Sequence, residues 1–347
     1  MSLCIYSRED FSEARRLLGH GSYGEVLEST EIRTGEVVAL KRVFLRFVSP
    51  TYFPISAFRE IQAHSCLNHP NIVSCWGVFS EPHTVTLVME ACLCDLNTLM
   101  EHSLGLAEDK ARGVLRDILL GLSNCHEMGL IHRDIKSSNI LVRENGEVCL
   151  GDFGLARPYR RGCLAGSSGG WEGKDAQLTA QVTSRWYRSP EILFGSGVYG
   201  PPIDMWAVGV LAVELLTGKP WAAGGSDLEQ LSIIVAQLGS PEKTWPDVVN
   251  MPDYSKVSFT SCPPADLSVA LGGSPSIEIL SFISALLKWD PAARLTAEAA
   301  LKHPFFDPSL PISSIAGLCA EIKSSSAART SLPKSISFES ITYQPPE

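Results

Sequence analysis

His132-Arg133-Asp134-Ile135-Lys136-Ser137-Ser138-Asn139 decides how this chain reads. The run fits H-R-D-x-K-x-x-N and sits just after an apolar helical pattern. Moving a phosphoryl group to a hydroxyl needs a carboxylate that orients the hydroxyl and accepts its proton, the role expected of Asp134. It also needs oxygen ligands for Mg²⁺, and Asn139 can supply one. Lys136 can neutralise charge on the transferring group. Downstream, Asp152-Phe153-Gly154 follows a hairpin-like stretch turning at Glu144-Asn145-Gly146, and Asp152 is the expected second metal ligand. Ser189-Pro190-Glu191 closes this segment as a variant of A-P-E.

Upstream, Gly19-His20-Gly21-Ser22-Tyr23-Gly24-Glu25-Val26 completes a G-x-G-x-x-G-x-V. Its glycines let the backbone approach phosphate without side-chain clash. A dinucleotide fold would start a helix within such a motif. Here a β-like run and Thr34-Gly35 follow, so a hairpin lid is expected. Fifteen residues after Val26, the apolar run Val38-Ala39-Leu40 ends in Lys41. Glu60 lies in a predicted helix beyond it. A strand lysine held by a helical carboxylate points its ammonium at the α- and β-phosphates.

Composition sets the outer limits. The 347 residues suit one large domain or two modest ones, and 45% apolar content allows a sizeable core. A formal charge of -9 with no dense basic block argues against a nucleic-acid surface. The greasy run over residues 205–216 is too short to span a bilayer and contains Glu214, so no membrane insertion is expected. Residues 1–10 lack the apolar core of a signal peptide. Ten cysteines show no paired metal-ligand spacing, and reduced thiols are the expectation.

The periodicities predict an α+β chain. Residues 14–92 read as short strands with one helix over residues 56–67, stopped before His69-Pro70. From residue 95 onward helices dominate. Val114, Leu115, Ile118, Leu119, Leu122 and Cys125 mark one helical face. Residues 205–216 are apolar nearly all round, as in a helix buried in a large core. Residues 297–302 read as a last short helix. Two segments read as loose: the Gly- and Ser-rich stretch over residues 160–177, and a Ser-rich tail over residues 307–347, expected to be disordered.

Taken together, these motifs resemble the eukaryotic protein kinases over residues 14–306. The resemblance implies a bilobal fold. A β-rich N-lobe with one main helix would occupy residues 14–92, after an extension over residues 1–13. A larger, mainly helical C-lobe would occupy residues 93–306 and include an activation segment over residues 152–191. Asp204 and Arg294 match structural positions of that family, with Arg294 pairing with Glu191. Within it, Pro54-Ile55-Ser56-Ala57-Phe58-Arg59-Glu60, Trp186-Tyr187-Arg188 and the run from Leu238 to Pro246 are similar to the cyclin-dependent kinase group. Residues 227–231 and 251–259 are similar to the cell-cycle-related kinases.

The resemblance implies a serine/threonine protein kinase using ATP and Mg²⁺. Leu18, Gly19, His20, Gly21, Ser22, Tyr23, Gly24, Val26, Ala39, Lys41, Glu90 and Cys92 would surround the nucleotide, with Met89 as gatekeeper. Protein substrates with Ser/Thr-Pro sites are implied, with Arg188 and Thr183 shaping the site beyond the acceptor. Thr179 aligns with an activating phosphosite, and Arg59, Arg133 and Arg157 with the arginines that gather its phosphate. Ser22 and Tyr23 align with inhibitory positions under the lid. A cyclin or other activator is the implied partner, and cell-cycle or ciliary control in cytoplasm, nucleus or cilium the implied setting. Three positions depart from the pattern: Ser137 replaces a proline, Ser184 a threonine, and His64 an apolar residue one turn after Glu60. A scaffold that keeps the fold without chemistry is the alternative, as is a small-molecule kinase. Intact Lys41, Glu60, Asp134, Asn139 and Asp152 argue against the first, and the cyclin-group helix against the second.

Overall fold

The computed structural model describes residues 3–21, 24–45, 54–159 and 184–329. The first part is a six-stranded sheet built from β1 (Cys4–Ile5), β2 (Arg16–Gly21), β3 (Gly24–Thr30), β4 (Val37–Phe44), β5 (Cys75–Glu81) and β6 (Thr84–Glu90), in the order β1-β5-β6-β4-β3-β2. One helix, α1 (Ile55–Cys66), lies between β4 and β5 in sequence. Leu27, Val38, Leu40, Phe79 and Val88 form an apolar cluster with Phe11 and Ala14. The amino-terminal extension therefore belongs to this lobe: β1 runs parallel to β5, and Phe11 is buried. Helix α1 buries Ala57, Glu60, Ala63 and His64 along one face. It ends where Leu67 turns extended, just before His69-Pro70.

The second part opens with β7 (Cys94–Asp95) and α2 (Leu96–Glu101), whose first turn is capped by Asp95 accepting from the Thr98 N–H at 2.7 Å. Then come α3 (Glu108–Glu127), β8 (Leu130–Ile131), β9 (Ile140–Val142), β10 (Val148–Leu150) and β11 (Arg157–Pro158). Beyond the undescribed stretch lie α4 (Pro190–Leu193), α5 (Pro202–Thr217), α6 (Asp227–Leu238), α7 (Leu267–Leu271), α8 (Ile277–Leu286), α9 (Ala297–Leu301) and α10 (Ala316–Arg329). The apolar face read from α3 is buried throughout, from Val114 to Cys125. Helix α5 is sheathed by protein from Ile203 to Leu215, as its all-round hydrophobicity requires. Among the described residues no helix is long and apolar enough to cross a membrane.

The tail corrects the sequence reading. Residues 307–329, expected to be disordered, are ordered, and α9 is not the last helix. Arg112, buried in α3, donates to the backbone carbonyls of Phe305 at 2.8 Å and Pro311 at 2.5 Å, so it holds the chain as it leaves α9. Ile315, Cys319 and Ile322 then bury themselves against the large core. Their spacing of four and three residues is one helical face, which the surrounding serines masked. Lys323 reaches back to Glu144 in the β9–β10 turn at 2.7 Å. Residues 330–347 lie outside the described residues.

Candidate active site

The lid is a hairpin. Strands β2 and β3 are antiparallel, with Gly19 opposite Val26 and Gly21 opposite Gly24. Its glycines serve different ends. A Cβ built on Gly24 would lie 1.8 Å from the Arg42 carbonyl oxygen, so Gly24 is demanded by the neighbouring strand β4. A Cβ on Gly19 would meet nothing within 4 Å. Ser22 and Tyr23 lie outside the described residues.

Beneath the lid, Lys41 projects from β4 and is gripped twice. Its Nζ lies 2.7 Å from Glu60 Oε1 and 2.8 Å from Asp152 Oδ1. Burial alone would lower the lysine pKa, but the two carboxylates overcome it and hold the ammonium above its usual range. Burial pushes Glu60 up, opposed by Lys41. Asp152 is driven down to about 2, because Lys41 outweighs its desolvation. Asp152 has left-handed backbone (φ 55°), a conformation aspartate tolerates better than most residues. This turn sends Phe153 into the core, where its ring packs against His64 and His132.

The decisive loop folds into a closed polar constellation. Lys136 Nζ donates to Asp134 Oδ2 at 2.7 Å, and Asn139 Nδ2 donates to the same oxygen at 2.8 Å. Asn139 Nδ2 also donates to the Asp134 carbonyl at 2.8 Å, leaving its amide oxygen free of that network. Strand β10 is tied to this loop by the Gly151 N–H donating to the Asn139 carbonyl at 2.8 Å. Ser184 meets Asp134 through its backbone N–H, 3.2 Å from Oδ1.

Asn139 and Asp152 offer hard oxygen donors and no sulfur or imidazole, which suits Mg²⁺. Among the described residues, the hydrogen bonds to the Asp152 carboxylate, from Lys41 and the Gly154 N–H, fall on Oδ1. Among the described residues there is no cluster of three potential metal ligands. Mg²⁺ is commonly held by one or two protein groups, with phosphate and water filling its remaining positions.

Val26, Ala39, Met89, Cys92 and Leu18 share one apolar cluster with Leu141. Leu141 went unread, since Ile140, Leu141 and Val142 of β9 are all apolar and nothing in the run sets it apart. The Glu90 carboxylate is taken by Arg143, at 2.5 Å to Nε and 3.0 Å to Nη2, so its side chain braces β6 against β9.

Three arginines gather beside the catalytic loop. Arg59 is held below the usual guanidinium range, by burial first and then by Arg133 and Arg157. Arg133 is itself lowered, chiefly by burial, and donates to the Leu155 carbonyl at 2.6 Å and the Tyr199 hydroxyl at 2.7 Å. Thr179 and Thr183, like the whole insert near residues 162–177, lie outside the described residues.

The site's supports include residues that sequence read only as structural or not at all. Arg294 makes a two-pronged pair with Glu191, the last residue of the activation segment, at 2.8 and 2.7 Å. Ser137, which stands where the family has a proline, is buried and engaged: its hydroxyl lies 3.1 Å from the Tyr187 hydroxyl and 3.2 Å from Glu214 Oε1. Tyr187 in turn donates to Glu214 Oε2, joining the catalytic loop, the Trp-Tyr-Arg run and α5.

A lid over a clamped lysine, with an aspartate, a lysine and an asparagine locked together below it, defines a phosphoryl-transfer cleft between two lobes. The chain belongs to the protein kinase family, whose domain it matches over residues 12–306. Within that family it belongs to the cyclin-dependent kinase group. It is 37% identical over 294 residues to rice (Oryza sativa subsp. japonica) cyclin-dependent kinase F-3, covering 84% of this chain and 64% of that protein. To Arabidopsis thaliana cyclin-dependent kinase D-1 it is 36% identical, covering 84% of this chain and 70% of the relative. To Pongo abelii cyclin-dependent kinase 20, whose kind is also called cell-cycle-related kinase, it is 35% identical, covering 83% and 81%. This chain thus spans less than two thirds of the rice protein's length.

Proposed function

We propose that this protein transfers the ATP γ-phosphoryl group to Ser or Thr followed by Pro, under control of a partner and of a phosphate on its activation segment. The observation that carries the reading is the double grip on Lys41 by Glu60 and Asp152, set over the Asp134–Lys136–Asn139 network. Lys41 is positioned to hold nucleotide phosphates. Asp134 holds and accepts the proton of the attacking hydroxyl. Lys136 offsets charge at the transferring group. Mg²⁺ held by Asn139 and Asp152 would neutralise phosphate charge.

Proline direction is favoured by the likeness of the Trp186-Tyr187-Arg188 run to the cyclin-dependent group. Arg188 is held by Asp227 at 2.8 and 2.9 Å, which fixes the strip beyond the acceptor. Regulation by phosphate is favoured by the like-charged group of Arg59, Arg133 and Arg157, which a dianion would relieve. Dependence on a cyclin or similar activator is favoured by Ile55 and Phe58, exposed apolar side chains on α1 beside the helix turn that carries Glu60. A role in cell-cycle or ciliary control follows from the resemblance alone.

The test is γ-phosphate transfer to a Ser/Thr-Pro peptide library, with Asp152→Asn as control. Transfer should be lost on the order of 10²–10³-fold or more in the control. No transfer by the natural sequence, even with Thr179 phosphorylated and activators supplied, would favour a scaffold. Transfer without preference for proline would remove only the specificity.

A further inference from the structure

The hinge carries a chemical feature that phosphoryl transfer does not use. Cys92, in the link between the lobes, and Cys149, in β10 three residues before Asp152, place their sulfurs 3.9 Å apart. Among the described residues this is the cysteine pair whose sulfurs touch. The two backbones are fastened through the strand between them. Leu93 donates its N–H to the Val142 carbonyl at 2.8 Å, and Val142 is in register with Val148. The contact is therefore a lasting one.

The two thiols differ in access. Cys92 is partly exposed and Cys149 is buried. The hydrogen bond with Cys92, and then burial, push the Cys149 thiol up. Arg143 lies within electrostatic reach of both sulfurs and shares its charge with Glu90. Cys92 is the more accessible of the two sulfurs, so oxidation starts there. A disulfide needs a sulfur separation of about 2.05 Å, so the sulfurs must close by about 1.9 Å.

We infer that Cys92 and Cys149 form a reversible disulfide when the protein meets a peroxide, stapling the hinge to the strand that leads into Asp152. In the first step the Cys92 sulfur takes one oxygen from hydrogen peroxide, giving a sulfenic acid and one water. In the second the Cys149 sulfur attacks the sulfenic sulfur; hydroxide departs and leaves as water with the Cys149 proton. Two thiols lose two electrons in total, and one peroxide becomes two waters. Such bonds in intracellular proteins are typically transient and redox-sensing. The consequence for the cleft rests on the kinase reading. Drawing Cys92 toward β10 moves the hinge backbone away from the nucleotide, so the oxidised protein binds ATP more weakly.

Full-length protein is treated with hydrogen peroxide, alkylated without reduction, digested and analysed by mass spectrometry. A Cys92–Cys149 linked peptide is expected, absent after dithiothreitol and absent in Cys149→Ala and Cys149→Ser. Sulfinic Cys92 beside an alkylated Cys149, or no linked peptide at all, would overturn the disulfide. Binding of a fluorescent ATP analogue should weaken at least about threefold on oxidation and recover with dithiothreitol. A linked peptide with unchanged nucleotide affinity would overturn the effect on the cleft. Failure of the reduced protein to bind nucleotide would count against the kinase reading, and the linked peptide would still decide the disulfide.

Discussion

The backbone N–H of Arg133 donates to Asp204 Oδ1 at 2.8 Å, while Arg133 itself sits in left-handed backbone at φ 69°. Asp204 Oδ2 also accepts from the His132 N–H and pairs with His126 Nε2, both at 2.9 Å. An arginine in that conformation costs about 1–2 kcal/mol, and the buried carboxylate is what fixes it there. The next residue is Asp134, so the geometry of that carboxylate depends on the buried Asp204 side chain behind the loop. Asp204→Ala should lower stability by about 3 kcal/mol and reduce transfer even where the variant is folded. Urea midpoints with unchanged m-value, together with turnover well below the transition, check both parts.

His64 should make stability depend on pH. It is buried, its Nε2 has no hydrogen-bond partner among the described residues, and its ring meets Phe153 edge-on at 5.2 Å. Burial, aided by Lys41 and His132 and opposed by Asp152, lowers its pKa from 6.5 to about 4. Between those values the unfolded chain binds more protons than the folded one. Stability therefore rises with pH across this window and is lost as pH falls through it, on the order of 3 kcal/mol in all. His64→Leu should flatten this slope relative to the natural chain and add about 1 kcal/mol at neutral pH. Unfolding curves of the two proteins from pH 4 to 7 would show parallel slopes if the imidazole were already solvated.

Arg294 is sealed from solvent, grips Glu191 with two nitrogens, and lies 5.0 Å from the Trp206 ring centroid. Removing it leaves a buried carboxylate without its counter-charge. Arg294→Ala should cost about 3–5 kcal/mol, and Arg294→Lys should recover only part because a single ammonium cannot make the fork. Thermal denaturation of both variants ranks them.

Ser137 tests whether its departure from the family pattern is neutral. Ser137→Ala leaves Glu214, already pushed up by burial, with one donor fewer, and should cost about 1–2 kcal/mol. Tyr187→Phe should cost more, and the double variant less than the sum, because the three groups form one network. A double-mutant cycle on denaturant midpoints measures that coupling.

The polar groups of the candidate site were legible because each sits at a fixed offset from the others in the sequence, and the structure brings them into contact. Lys41, Glu60, Asp134, Asn139 and Asp152 could be named without coordinates for that reason. Positions read from an average pattern fared less well. Ser137 looked incidental because sequence does not show that Tyr187 and Glu214 converge on it from 50 and 77 residues away. The tail looked disordered because composition was weighed ahead of period, although Ile315, Cys319 and Ile322 form a helical stripe. Leu141 was missed because an apolar residue in a short apolar strand carries no mark of the ligand it will face.

The contrast between Gly19 and Gly24 separates two kinds of mutational freedom within one short motif. At Gly24 any side chain collides with the backbone of β4, so inheritance there is policed by assembly of the sheet, whatever the cleft holds. At Gly19 the protein leaves room for a methyl group, so a change there is judged by the ligand alone. A library that varies Gly19 and spares Gly24 could retune which nucleotides the lid admits while the lobe beneath it still forms.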